Sequence, residues 1–138
     1  KVHLIPDGDV AAAIATAAPG TGIDVLMGVG GATAGVLAAA ALQCLGGEIK
    51  SRPASQAEKI RQGPSQEHQS HLDNIFTAAD LVGAKNVVFA ATGITDGDVL
   101  NGVRLRTDGA TTHSLVMCSK SKTRRFIVTD HFFESVTE

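Results

Sequence analysis

Residues Ala32 to Leu45 form the most constraining stretch of this chain: fourteen residues, apolar nearly all round, with Gln43 as the main polar interruption. Alanine is the strongest helix former, and Gly46-Gly47 stops the run. A helix without a polar face has to be buried, so the rest of the chain must supply layers to cover it. The residues before it suggest those layers. Asp9 to Ala18 is alanine-rich and unbroken until Pro19, which predicts another helix, and Gly20-Thr21-Gly22 marks a loop. Val2 to Ile5, Ile23 to Val29 and Glu48 to Arg52 have strand composition, so the opening is predicted as β-α-β-α-β.

Ser51 to His71 changes character. It is rich in Gln, Ser, Glu, Lys and His, carries Pro53 and Pro64, and is expected to be a short exposed helix and a flexible loop over 51–71. Thr77 is placed to cap a brief helix through Leu81, with Asp80 as the acid of the capping box. Asn86 to Thr92 is a continuous apolar run, the pattern of a strand covered on both faces. Val103 to Arg106, Thr111 to Ser119 and Thr123 to His131 then predict an antiparallel meander, turned at Asp108-Gly109 and at Lys120-Ser121-Lys122. The expected fold class is α/β, with a mixed sheet, packed helices and an antiparallel C-terminal meander. At 138 residues the chain is expected to form one domain over 1–138, burying roughly two thirds of its unfolded surface.

With no Trp and no Tyr, the core is expected to lean on Ala, Val, Leu, Ile and the five Phe. A net charge of −2 leaves no electrostatic footprint for nucleic acid. No uninterrupted apolar run reaches the length of about 18 residues that a membrane span needs. Cys44 and Cys118 lack metal-ligand spacing and are expected to be buried, reduced thiols. A soluble, cytoplasmic chain is the expectation. Beginning at Lys1 on a strand-like run, without methionine, it is also expected to be a piece of something longer.

One hexapeptide has an echo: Ile5-Pro6-Asp7-Gly8-Asp9-Val10 recurs as Ile94-Thr95-Asp96-Gly97-Asp98-Val99. Each copy follows a predicted strand. Two carboxylates flanking a glycine there can face one ligand volume, or can simply make a turn and cap a helix. Gly28-Val29-Gly30-Gly31-Ala32-Thr33-Ala34-Gly35 lies between a predicted strand and a helix, where backbone N–H groups and the helix dipole favour an anion such as phosphate. Small residues there also serve tight packing. The turn is not the dinucleotide fingerprint, and no P-loop Lys-Ser/Thr follows. His3, His68, His71, His113 and His131 are scattered, which argues against a histidine metal site; His68 and His71 are expected in solvent and His113 in a strand hydrogen bond. Lys120, Lys122, Arg124 and Arg125 suit a solvated edge guarded against strand pairing, or a phosphate or acidic neighbour. No nucleophile elbow is present.

In their order, these pieces resemble the C-terminal half of class II fructose-1,6-bisphosphatases, including relatives that act on sedoheptulose 1,7-bisphosphate. The resemblance runs through Leu4-Ile5-Pro6-Asp7-Gly8-Asp9-Val10, Gly20-Thr21-Gly22, the glycine-rich turn with its alanine helix, and Leu45-Gly46-Gly47. It continues through Phe89-Ala90-Ala91-Thr92-Gly93-Ile94-Thr95-Asp96-Gly97-Asp98, Gly102-Val103-Arg104 and Thr111 to Met117, and is weakest from Ser51 to His71.

The resemblance implies a hydrolase of gluconeogenesis that uses Mg²⁺ or Mn²⁺ to yield fructose 6-phosphate and phosphate. It implies substrate contacts at Asp7, Gly8, Asp9 and Gly31, and gives no role to Asp96, Gly97 or Asp98. Two features of the family are missing. Its acidic metal cluster, its Asp-Pro-Ile-Asp-Gly-Thr motif and its Arg-Pro-Arg substrate contact belong to a region that precedes this one. The pattern Gly-Gly-x-Pro-Glu-Gly, whose Glu ligates metal, reads here Gly30-Gly31-Ala32-Thr33-Ala34-Gly35, and Ala34 cannot ligate. No catalytic residue or metal ligand is therefore expected in this chain, which alone should be inactive. The expected partners are a sugar bisphosphate, the N-terminal half or a second polypeptide that supplies it, and further copies in a homo-oligomer. The alternative is a binding or assembly module that keeps a sugar-phosphate pocket without turnover.

Overall fold

The computed structural model describes residues 1–53 and 74–133. Helix α1 spans Asp9–Ala17 and α2 spans Ala32–Leu45. Short β1 (Lys50–Ser51) and β2 (Phe76–Thr77) pair antiparallel, Lys50 opposite Thr77 and Ser51 opposite Phe76. Helix α3 (Ala78–Val82) follows at once. It starts where Thr77 donates its amide (2.8 Å) and hydroxyl (2.6 Å) to the Asp80 carboxylate. The expected capping box is thus present. Both α2 and α3 stop at left-handed glycines, Gly46 (φ 77°) and Gly83 (φ 65°), whose N–H groups return to Leu42 and Ala79.

Strands β3 (Val88–Thr92), β4 (Arg104–Arg106), β5 (Gly109–Cys118) and β6 (Thr123–Phe132) form an antiparallel sheet. β5 is its spine. β6 runs along one edge of it, while β4 and β3 share the other, at Gly109–Thr111 and Ser114–Cys118 respectively. The meander and both of its turns follow the sequence pattern closely.

The core lies between this sheet and the helices. Leu115 and Met117, two residues apart on β5, share a face and are fully buried, with Ala91 and Phe89 opposite them on β3. Against this face lie Ile14 of α1 and Ala41 and Cys44 of α2. Ala13, Ala38 and Leu42 form a second cluster between α1 and α2. Alanines at the crossing keep both helix backbones close to the sheet, which is why a chain without Trp or Tyr can fill its interior.

The structure corrects five expectations. Val2 to Ile5 and Ile23 to Val29 are not strands: they have no ladder partner among the described residues, and the opening is not β-α-β-α-β. Strand composition only permits a strand, and a neighbouring edge must complete it. Helix α2 is not buried all round, since Val36 (40%) and Leu37 (47%) are open to solvent. β3 is covered on one face only: Phe89 is buried and Val88 is 70% exposed. Of the five Phe, only Phe89 joins the buried core; Phe126, Phe132 and Phe133 are exposed. Glu48 to Arg52 shrinks to the two residues of β1. The expected flexible loop, with His68 and His71, falls mainly on residues 54–73, outside the described residues.

Candidate sugar-phosphate site

The first Asp-Gly-Asp sits at the start of α1. Asp7 Oδ1 accepts the Gly8 N–H at 2.6 Å, and Gly8 takes a left-handed conformation (φ 87°) that a side chain would strain. Asp9 opens the helix, where a carboxylate complements the dipole. All three residues are exposed. The glycine-rich turn ends at Gly31, which precedes α2 in an extended conformation and offers no side chain to cap it. The first N–H groups of α2 thus have no side-chain cap, an arrangement that suits an anion.

These motifs, more than twenty residues apart in sequence, meet in space. A methyl group built on Gly30 would lie 2.8 Å from Asp9 Oδ2, so the carboxylate rests directly against the turn. A carboxylate accepts from sugar hydroxyls and helix-start N–H groups donate to phosphate, so the two motifs have complementary chemistry. Around Gly31 a methyl would meet nothing within 4 Å, which leaves that side open to a ligand. Ala34 lies half-buried in the first turn of α2.

The second copy is built differently. Asp96 Oδ1 accepts the Gly102 N–H at 2.9 Å and an Arg104 N–H at 2.6 Å. Gly97 N–H donates to Leu100 O at 3.0 Å, and Val103 N–H to Ile94 O at 3.1 Å. Gly102 packs so closely on Ile94, Thr95 and Asp96 that a methyl there would lie 2.7 to 2.9 Å from their backbone atoms. Here Asp-Gly-Asp clasps a loop shut, which is the structural of its two readings. The Arg104 bond and the Gly102 N–H hold the Asp96 carboxyl below the usual carboxylate range. Hydrogen bonds from Thr77 lower Asp80 likewise, and bonds from Thr111 and Arg106 lower Asp130. A depressed folded pKa stabilises the fold above the unfolded value of about 3.9 and loses that contribution as pH falls through the folded value. Acid unfolding followed by circular dichroism should therefore be less steep below about pH 4 in Asp96→Asn than in the parent.

Beside this loop, Asp98, Asn101, His113, Ser114, Phe126 and Val128 line a half-open cavity of about 160 Å³. None of Asp7, Gly8, Asp9 or Gly31 lines it. The His113 carbonyl accepts the Gly93 N–H at 2.9 Å, and His131 Nε2 lies 3.0 Å from Thr112 Oγ1. Arg106 bonds Asp130 at 2.9 Å, and Arg124 stacks over Phe126 at 5.3 Å. Sequence reasoning missed the Arg104–Asp96 and Arg106–Asp130 pairs. Antiparallel registration of β4, β5 and β6 was the signal available for the second.

Cys44 is buried, and its thiol, pushed up mainly by burial, lies 3.6 Å from Val87 O. Cys118 is only half-buried, and hydrogen bonds from Ser121 lower its thiol. Among the described residues no three His, Cys, Asp or Glu side chains come together as metal ligands. The donors among the described residues therefore do not fit a divalent cation. Among the described residues no helix is long and apolar enough to cross a membrane.

An Asp-Gly-Asp turn laid against a glycine-rich helix start, above an antiparallel meander, defines an α/β protein with a candidate site for a hydroxylated anion. The chain belongs to the family described as bacterial fructose-1,6-bisphosphatase, glpX-encoded, which matches residues 1–131. It is 43% identical over 143 residues to a protein of Synechococcus sp. (strain JA-2-3B'a(2-13)) named D-fructose 1,6-bisphosphatase class 2/sedoheptulose 1,7-bisphosphatase. That match covers 95% of this chain and 41% of the relative. A protein of the same name from Microcystis aeruginosa (strain NIES-843 / IAM M-2473) is 40% identical over 146 residues, 97% of this chain and 42% of the relative. The chain thus spans about two fifths of the length of these relatives.

Proposed function

We propose that this chain is the substrate-binding portion of a phosphatase that hydrolyses fructose 1,6-bisphosphate, and sedoheptulose 1,7-bisphosphate as well, to the monophosphate and phosphate. The observation that carries this reading is the approach of Asp9 to Gly30, which joins the two motifs that the family resemblance assigns to substrate. In the reading, Asp7 and Asp9 accept hydrogen bonds from sugar hydroxyls, Gly8 keeps the turn tight, and Gly31 lets the ligand approach the start of α2. The reading includes a requirement for Mg²⁺ or Mn²⁺, whose ligands come from outside this chain, together with self-association and a cytoplasmic setting. The long edge strand β6, which has no neighbour on its outer side among the described residues, offers a surface for self-association.

A second reading has its own observation. Ala34 and the absence of a ligand cluster among the described residues favour a binding or assembly module that holds a sugar phosphate without turning it over.

The substrate role is tested in a fusion that places the N-terminal remainder of the Synechococcus relative ahead of this chain. Asp7→Ala or Asp9→Ala should weaken fructose 1,6-bisphosphate binding by about 1 to 3 kcal/mol, the cost of leaving polar partners unsatisfied. Asp96→Ala should lower stability and leave affinity nearly unchanged. Equal affinity in the parent and both Asp7 and Asp9 variants, measured by calorimetry, would remove the substrate role.

A further inference from the structure

We propose that residues 2–5 and 23–29 form a docking surface for the part of the class 2 bisphosphatase fold that the relatives carry outside the matched region, and that both segments become strands when it docks. Val2 is 85% exposed, Leu4 86%, Val25 71%, Met27 89% and Val29 86%. Each segment places these side chains two residues apart, the spacing that puts them on one face of an extended chain. In the second segment the alternate positions are Asp24, Leu26 and Gly28. This is the pattern of a strand with one continuous apolar face and a mixed opposite face, on which Leu26 is 38% exposed, and its backbone has no ladder partner among the described residues. Exposed apolar side chains and unpaired N–H and C=O groups on the same segment are what strand addition satisfies together.

Position adds a second argument. Each segment runs into a motif of the candidate site: residues 2–5 into Asp7-Gly8-Asp9, and residues 23–29 into Gly30-Gly31. Val36 and Leu37, near the start of α2, are open to solvent as well. The occupant follows from length. More than half of each relative lies outside the match, so a protein of this family carries a second body of comparable size, and these uncovered apolar segments border the site that body would complete.

The inference rests on the reading that this chain works jointly with that remainder, but its test is independent of catalysis. Amide hydrogen exchange is compared between this chain alone and the fusion with the N-terminal remainder of the Synechococcus relative. Amides of residues 2–5 and 23–29 should exchange within the fastest class in the chain alone and slow by about 100-fold or more in the fusion, while β5 and β6 stay protected in both. Val25→Asp with Met27→Asp should leave the circular dichroism of the isolated chain unchanged, because both side chains are already in solvent, and should abolish the protection in the fusion. Fast exchange of both segments in the fusion overturns the proposal. So does protection already present in the chain alone with a dimer in sedimentation, which would make a second copy the occupant. Protection without phosphate release sinks the bisphosphatase reading and leaves the docking surface standing; phosphate release without protection does the reverse.

Discussion

Fructose 1,6-bisphosphate incubated with this chain and Mn²⁺ is expected to release phosphate no faster than buffer with Mn²⁺, whereas the fusion carrying the remainder of a class 2 relative is expected to turn over. Positioning a sugar phosphate contributes to rate only when a nucleophile and an electrophilic clamp are also in place, and the described residues of this chain bring no ligand cluster together. Within the fusion, Ala34→Glu should lower the Mn²⁺ concentration needed for half-maximal activity, because hard cations take oxygen ligands and Ala34 lies in the first turn of α2 beside the glycine-rich turn. Glu at a helix start is compatible with the dipole, so the fold should be undisturbed. Metal-dependent phosphate release from the pure chain would show that it carries a complete site. Superimposable Mn²⁺ curves for the two fusions would show that residue 34 does not face the metal.

Leu115→Ala is expected to destabilise the chain by about 2 to 5 kcal/mol, the range for emptying a fully buried aliphatic site. Leu115 sits on the central strand at 0% exposure, opposite Ala91, in a cluster with Ile14 of α1 and Ala41 and Cys44 of α2. Ala41 and Cys44 are too short to refill the void, and Ile14, Phe89 and Met117 are already buried in their own places, so the cost should be several times that of an exposed site. Phe126→Ala removes a larger side chain but should cost far less, because Phe126 is 57% exposed on the edge strand. Urea unfolding of both variants provides the comparison. A Phe126 loss as large as the Leu115 loss would mean that Phe126, which is paired with Leu115 and shares its face of the sheet, is covered in solution.

Elements whose ends are punctuated were legible in the sequence. Gly46 stops α2 where its glycine pair predicts, Thr77 and Asp80 cap α3, and Asp108-Gly109 turns β4 into β5, which begins within two residues of its expected place. Residues 2–5 and 23–29 were not legible, since their composition is that of a strand while their conformation depends on an edge that the described residues do not supply. The echoed Asp-Gly-Asp was ambiguous for a related reason. Its two copies are nearly identical as sequence, and what separates them is Arg104 and the Gly102 N–H arriving from outside the motif to occupy Asp96. Likewise, Asp9 and Gly30 each suggest a ligand, but only their approach at 2.8 Å from the glycine's missing methyl position joins them.

The junction of Asp9 with Gly30, and not the loop around Asp96, is the proposed receptor for the sugar phosphate. Nitrogen–proton correlation spectra of the fusion, titrated with fructose 1,6-bisphosphate, test it most directly. Saturable shifts are expected at the amides of Gly8, Asp9, Gly30 and Gly31 and at the first residues of α2, with those of Gly97, Asp98 and Gly102 unmoved. Shifts confined to residues 97–102 and His113, with the amides of residues 7–9 and 30–31 unmoved, would contradict it.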